Sequence, residues 1–267
     1  MKNNKPLKYC LILSSVFLIF LSCKNQYNQG KQGSIDESLA IAENQFYTIF
    51  NGINLEGWSG DSKYWKVENG ILIGEVTSET ILKNNSFIIY EKEQPEDFEL
   101  KLEYRVSNAG NSGINYRSKI LDAIPFALQG YQYDIDGKNR FTGQNYEEKK
   151  RTTLAYQGEQ VVINPMPNSI SSLRDNVLKN CWQTRNVTAS LGTSENLKSN
   201  IKSDDWNQVH LIVKGNRMQH FCNGVLLSEV TDLDTVNSTF KGYLGVQVHV
   251  GPPMKIEYKN IKLKHLK

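Results

Sequence analysis

The chain has 267 residues, 22% of them charged and 39% hydrophobic, with 31 basic against 28 acidic side chains. These proportions exclude a disordered, collagen-like or coiled-coil protein. The near-balance of charge leaves no basic surplus for a nucleic-acid surface, so no nucleic-acid partner is expected. Only one apolar stretch is long enough to matter to a bilayer, which excludes a multi-pass membrane protein.

That stretch comes first. Lys2, Lys5 and Lys8 precede an apolar run from Tyr9 to Leu21, the pattern of a secretory signal. Phe20-Leu21-Ser22-Cys23 resembles a bacterial lipoprotein signal, with Phe20 standing where such signals usually have Leu. The resemblance implies a signal peptide over residues 1–23 and a lipid on Cys23. It places the protein at a Gram-negative envelope, periplasmic or outer membrane, with the membrane as a partner through the lipid anchor. Residues 24–44 are polar and suit a flexible tether, and residues 45–267 read as one domain. The spacing of Cys181 and Cys222 does not show that they meet, and two unpaired buried thiols are the plainer reading. With no CxxC pair or Cys/His cluster, a structural zinc site is not expected.

Within the domain the elements are short and alternating. Trp65 to Gly70 ends in an Asn-Gly turn, and Ile71 to Glu75 returns as the second strand of a hairpin. Trp58, Trp65 and Trp206 precede or start strands and read as core or sheet-edge anchors. From Phe98 to Val106, Phe98, Leu100, Leu102, Tyr104 and Val106 share one face, and Glu99, Lys101, Glu103 and Arg105 the other. Tyr131, Tyr133 and Ile135 alternate with Gln132, Asp134 and Asp136. Residues 170–201 break the pattern and read as loop, with a short helix at 194–201. A second hairpin turns at Asn223-Gly224, and Tyr243 to Val250 alternates with Leu244, Val246, Val248 and Val250 inward. Many short strands with one apolar face each predict an all-β protein, two antiparallel sheets packed as a jelly-roll sandwich.

In such a sandwich the chemistry belongs on an outer face or in loops. Glu103 and Arg105, then Gln132, Asp134 and Asp136, then Gln247 and His249 form the polar sides of three strands. Arg117 shares strand parity with Asn115. Amides, carboxylates, guanidinium and imidazole together supply the directional donors and acceptors that bind a polyhydroxylated ligand. Asp134 and Asp136 point the same way, roughly 6.6 Å apart along the strand. They would raise one another's proton affinity as an acid and a base, or hold a hard cation through oxygen. Asp136 before Gly137 equally fits the cap of a turn. His249, beside Gln247, is a candidate for proton transfer. His210, His220 and His265 read as structural or solvated.

Several runs together resemble one family. Phe50 to Trp58, Trp65 to Gly70, Asp97 to Arg105, Asn111 to Ile114, Gly130 to Asp136, Phe141 to Glu147, Asp205 to Asn207, Phe221 to Gly224 and Val246 to Met254 occur in its order. The family is the 3-keto-disaccharide hydrolase domain, formerly a domain of unknown function. The resemblance implies a concanavalin-like jelly roll that acts on 3-keto-glycosides or 3-keto-disaccharides. Such enzymes are 3-keto-glucoside 1,2-lyases and 3-keto-2-hydroxy-glucal hydratases, so an upstream sugar 3-dehydrogenase is an expected functional partner. A C3 ketone acidifies the C2 hydrogen, its enolate expels the C1 substituent, and water then adds to the enone.

By matching positions, the resemblance implies Asp134, Glu147 and His249 as catalytic groups. Arg117 and Gln247 would orient substrate, with Glu103, Gln132, Asp136 and Gln144 as further binding contacts. No cofactor is certain; a divalent cation, if used, would take Asp134 or Glu147 with His249 as ligands. Phe141 departs from the family's frequent Tyr, and Cys222 from its usual apolar residue. A non-catalytic carbohydrate-binding module on the same face is the alternative. A conventional glycosidase ranks third, because no acid follows Asp134-Ile135-Asp136 until Glu147.

Overall fold

The computed structural model describes residues 45–166 and 173–267, so the expectations for the signal peptide, tether and Cys23 lie outside the described residues. Along the chain run β1 (Tyr47–Thr48), β2 (Trp58–Ser59), β3 (Trp65–Glu68), β4 (Ile71–Val76), β5 (Ser86–Tyr90) and β6 (Phe98–Val106). There follow β7 (Asn111–Ile120), β8 (Leu128–Asp136), β9 (Asn145–Glu148), β10 (Thr152–Ala155), β11 (Glu159–Ile163), β12 (Val177–Leu178) and β13 (Cys181–Trp182). The last are β14 (Arg185–Ser190), β15 (Asn207–Lys214), β16 (Arg217–Cys222), β17 (Val225–Asp232), β18 (Tyr243–Val248) and β19 (Met254–His265).

Two sheets face each other. The first has the order β14-β11-β17-β16-β15-β6-β19-β4-β3, with β1 also on β19; the second is β12-β13-β10-β9-β8-β7-β18-β5-β2. The fold is the expected all-β jelly-roll sandwich, although β11–β17 and β10–β13 pair in parallel. Both predicted hairpins form, β3–β4 and β16–β17. At their turns Asn69 and Gly70, and Asn223 and Gly224, take positive φ, the geometry for which Asn-Gly is selected.

The core lies between the sheets. Phe98, Leu100, Leu102, Tyr104 and Val106 of β6 point into it, as do Ile114 and Tyr116 of β7 and Tyr131, Tyr133 and Ile135 of β8. Each such side chain contributes about 1.5–3 kcal/mol on burial. Hydrogen bonds across this interior fix how the sheets sit. Tyr116 Oη lies 2.8 Å from His220 Nε2 and accepts from Asn145 Nδ2 at 3.0 Å. Ser112 Oγ meets Tyr258 Oη at 2.7 Å, and Tyr131 Oη donates to Asp232 at 2.6 Å. His220, expected to be structural or solvated, is structural and fully buried; burial drives its imidazole down to about 3, so the ring is neutral.

The stretch expected to be loop contains β12, β13 and β14 before the short helix Ser194–Lys198. β14 is an edge strand exposed over nearly all its residues, so it carries no apolar alternation to read. Cys181 and Cys222 are free thiols, Cys222 buried and Cys181 only partly so. Among the described residues no helix is long and apolar enough to cross a membrane.

Candidate functional site

The outer face of the second sheet gathers the polar residues. Antiparallel register sets Asp136 opposite Asn111, Asp134 opposite Gly113 and Gln132 opposite Asn115. Gln132 also faces Tyr146 of β9, and Asn115 faces Gly245 of β18. The pleat carries the same face along β18 through Gln247 to His249.

Asp134 is the centre of this face. Gln132 Nε2 donates to one carboxylate oxygen at 2.5 Å, and Gln144 Nε2 donates to the other. Gln247 Nε2 donates to Gln132 Oε1 at 3.3 Å, linking β18 to β8 over the intervening β7. Gly113 makes that link possible. A Cβ at position 113 would stand 2.6 Å from Gln132 Cγ and 2.7 Å from its Nε2, so only glycine leaves room for the glutamine to lie across β7. Burial, with Glu148 and Asp136 adding, pushes the Asp134 carboxyl up to about 7 against the pull of the two amides. Buried Gln144 Oε1, Gln247 Oε1 and both polar atoms of Asn115 have no protein partner. Unpaired buried amides of this kind call for a ligand or water.

The acid that joins Asp134 is Glu148. Strand alternation points Asn145 and Glu147 into the sandwich and Tyr146 and Glu148 outward. Glu147, expected as a catalytic group, is fully buried against Arg151, with Arg151 Nε 2.5 Å and Lys150 Nζ 3.2 Å from its oxygens. Glu148 Oε1 accepts from Asn85 Nδ2 at 3.2 Å, and burial raises its carboxyl. Asn85 immediately precedes β5, four places from β9 in the sheet. A flat sheet would separate the two strands by on the order of 19 Å, so the bond draws the connection before β5 and the end of β9 together across this face, which forms a trough. Tyr146 borders the acids; burial and the charges of Glu148 and Asp134 push its phenol up to about 12.

Two other expected residues are elsewhere. β7 slips register between Tyr116 and Lys119, and Arg117 there has φ +46°. The bulge breaks its parity with Asn115. Its buried guanidinium instead bonds Glu96 and Gly215 carbonyls and Asp97, tying the second sheet to the first. Glu103 lies on the opposite sheet, where it meets Asn260 at 2.7 Å and Lys259 at 3.4 Å in a run of surface ion pairs. Arg105 pairs with Glu257 in the same run. Asp136 stays on the outer face but caps its turn, accepting from the backbone N–H groups of Lys138 and Arg140 and from Arg140 Nε.

His249 follows β18. Its Nδ1 donates to the Val250 carbonyl at 2.6 Å, which leaves Nε2 as an acceptor, and burial lowers the ring's proton affinity. Asn85 Oδ1 accepts from Val250 N at 3.0 Å, so one amide holds both the His249 segment and Glu148. Beside His249 opens a cleft of about 390 Å³ lined by Asn111, Asp136, Lys138, Arg140 and Pro252. Of the expected cation ligands, Glu147 is turned away to Arg151. Among the described residues no group of three His, Cys, Asp or Glu is placed to hold an ion.

No protein of curated function matches the sequence. Two solved structures from Parabacteroides distasonis ATCC 8503, both provisionally assigned as glycosyl hydrolases, share the fold. One is 19% identical, with TM-score 0.51 over 87% of this chain and 97% of that one. The other is 17% identical, with TM-score 0.50 over 84% of this chain and all of the other. Residues 45–264 match the 3-keto-alpha-glucoside-1,2-lyase-like domain, and the chain belongs to that family.

Proposed function

We propose that the trough cleaves 3-keto-glycosides by 1,2-elimination and hydrates the resulting 3-keto-2-hydroxy-glucal. Family membership supplies the carbohydrate-related function; the observation that carries the chemistry is the neighbouring carboxyls of Asp134 and Glu148, both with proton affinity raised by burial, among unpartnered amides. A carboxyl near 7 both takes and gives a proton at neutral pH. Asp134 and Glu148 would remove the C2 hydrogen and protonate the departing C1 oxygen. The amides of Gln132, Gln144, Gln247 and Asn115 would hold the sugar hydroxyls and the C3 enolate oxygen. His249 Nε2 would take a proton from the water that adds to the enone. No step is routed through a metal. The substrate requires a prior oxidation at C3, the task of a sugar 3-dehydrogenase.

The test is turnover of a 3-keto-glucoside in heavy-oxygen water. Label at C1 with an unsaturated intermediate supports both half-reactions; hydrolysis of the unoxidised glucoside at an equal rate refutes the reading. A binding module is the second reading, favoured by the fact that both Asp134 oxygens are already held by amides. Sugar binding that survives Asp134→Ala with His249→Ala, without turnover by wild type, would select it. We further propose export and lipid anchoring through Cys23 at a Gram-negative envelope, as the N-terminal pattern implies. Metabolic labelling with radioactive palmitate, lost in Cys23→Ala, tests it.

A further inference from the structure

The cleft beside His249 carries charge that the proposed chemistry does not use. It sits where three connections meet, between β6 and β7, β8 and β9, and β18 and β19, and Lys138 and Arg140 line it together with Asp136. Asp136 is committed: the turn's backbone N–H groups and Arg140 Nε, at 3.1 Å, take its oxygens. Arg140 also lies over the Phe141 ring, 5.1 Å from its centroid. The guanidinium is therefore held from two sides. Among the described residues its Nη1 and Nη2, and the exposed Lys138 ammonium, have no bonded partner. Two cations against one satisfied carboxylate leave the cleft with a surplus positive charge. A guanidinium fixed at Nε still presents its other N–H groups to a planar anion such as a carboxylate.

The position matters as much as the charge. Asp136 is two residues along β8 from Asp134, about 6.6 Å, roughly the span of one sugar ring. A group in the cleft therefore adjoins one whose reacting bond is at Asp134. We infer that the cleft is an anion subsite for the leaving group, and that the preferred substrates carry a carboxylate on the part expelled from C1. The assignment to the leaving group rests on the proposed reaction; the binding of an anion does not.

The probes are the glucosides of 4-hydroxybenzoate and of its methyl ester, which differ in one charge. Each is used unoxidised for calorimetric binding and as its 3-keto form for turnover. The acid is expected to bind about 10-fold more tightly than the ester at low salt, equivalent to about 1.4 kcal/mol, with the margin shrinking in 0.5 M salt. Lys138→Gln and Arg140→Gln should each reduce the preference and together abolish it. Equal binding of acid and ester by wild type, or a preference that the double variant keeps, overturns the subsite. Acid preference in binding with no turnover of either ketone leaves the subsite standing and rejects the reaction. Turnover of both ketones at equal efficiency, with acid and ester bound equally, does the reverse.

Discussion

Asp134→Asn should stabilise the protein at alkaline pH and leave it unchanged in acid. The folded carboxyl is pushed up to about 7 from an ordinary 3.8, so the folded state keeps a proton that the unfolded chain releases. Between those values each unit of pH costs the fold up to 1.36 kcal/mol. The cost is absent below about pH 4, grows until about pH 7 and is constant above. The full interval is worth about 4 kcal/mol, and water at the partly exposed carboxyl screens part of it, leaving about 1–3 kcal/mol. Asparagine keeps an acceptor for Gln132. A flip of the Gln144 amide turns its unpartnered Oε1 toward the new N–H and leaves Nε2 in its place, so the number of unpartnered atoms does not rise. Urea unfolding of both proteins from pH 4 to 8.5 measures the difference. A variant destabilised equally across that range would refute the assignment of a strained, proton-retaining carboxyl to this position, and the same variant should lose turnover.

Glu147→Gln and Glu148→Gln separate two neighbouring acids. Removing the charge paired with buried Arg151 should cost about 3 kcal/mol or more in thermal unfolding, whereas Glu148→Gln should cost little stability and abolish turnover. In Gly113→Ala the new methyl collides with Gln132, whose hydrogen bond holds the Asp134 proton affinity down. The Asp134 carbon signal in NMR titration should then move up by about one unit or more; an unmoved titration would show that Gln132 is not held over β7. Asn85→Asp keeps the acceptor for Val250 N but sets a carboxylate against Glu148. It should raise the Glu148 titration above its wild-type position, and by more than Asn85→Ser, which loses the amide donor but adds no charge.

The fold was legible because β6, β8 and β18 alternate strictly, and the hairpins announce their turns. The site was legible along β8 and at Gln247. What alternation cannot say is which sheet a strand joins. Glu103 has the same pattern as Gln132 but belongs to β6, so it faces away on the other side of the sandwich. Arg117 followed the parity of Asn115 until a bulge turned it inward, and nothing in Asn111 to Ile120 marks that bulge. Glu147 against Glu148 is a question of one residue. A signal was present: Arg151 stands four residues after Glu147, and the core-facing residue of the two is the one that needs a counter-ion. Asn85 had no signal, since its partners Glu148 and Val250 are 63 and 165 residues away.

The final strand, β19, lies inside the first sheet, where β6 and β4 flank it over much of its length and β1 pairs it at one end. Until β19 is made, β6 and β4 lack the neighbour that joins them. Closure of the first sheet must therefore wait for β19 and proceed through distant pairings, which are slow to form. A polypeptide whose first sheet stays open until β19 is made is one that a translocation channel can still thread, the condition that the proposed export would require.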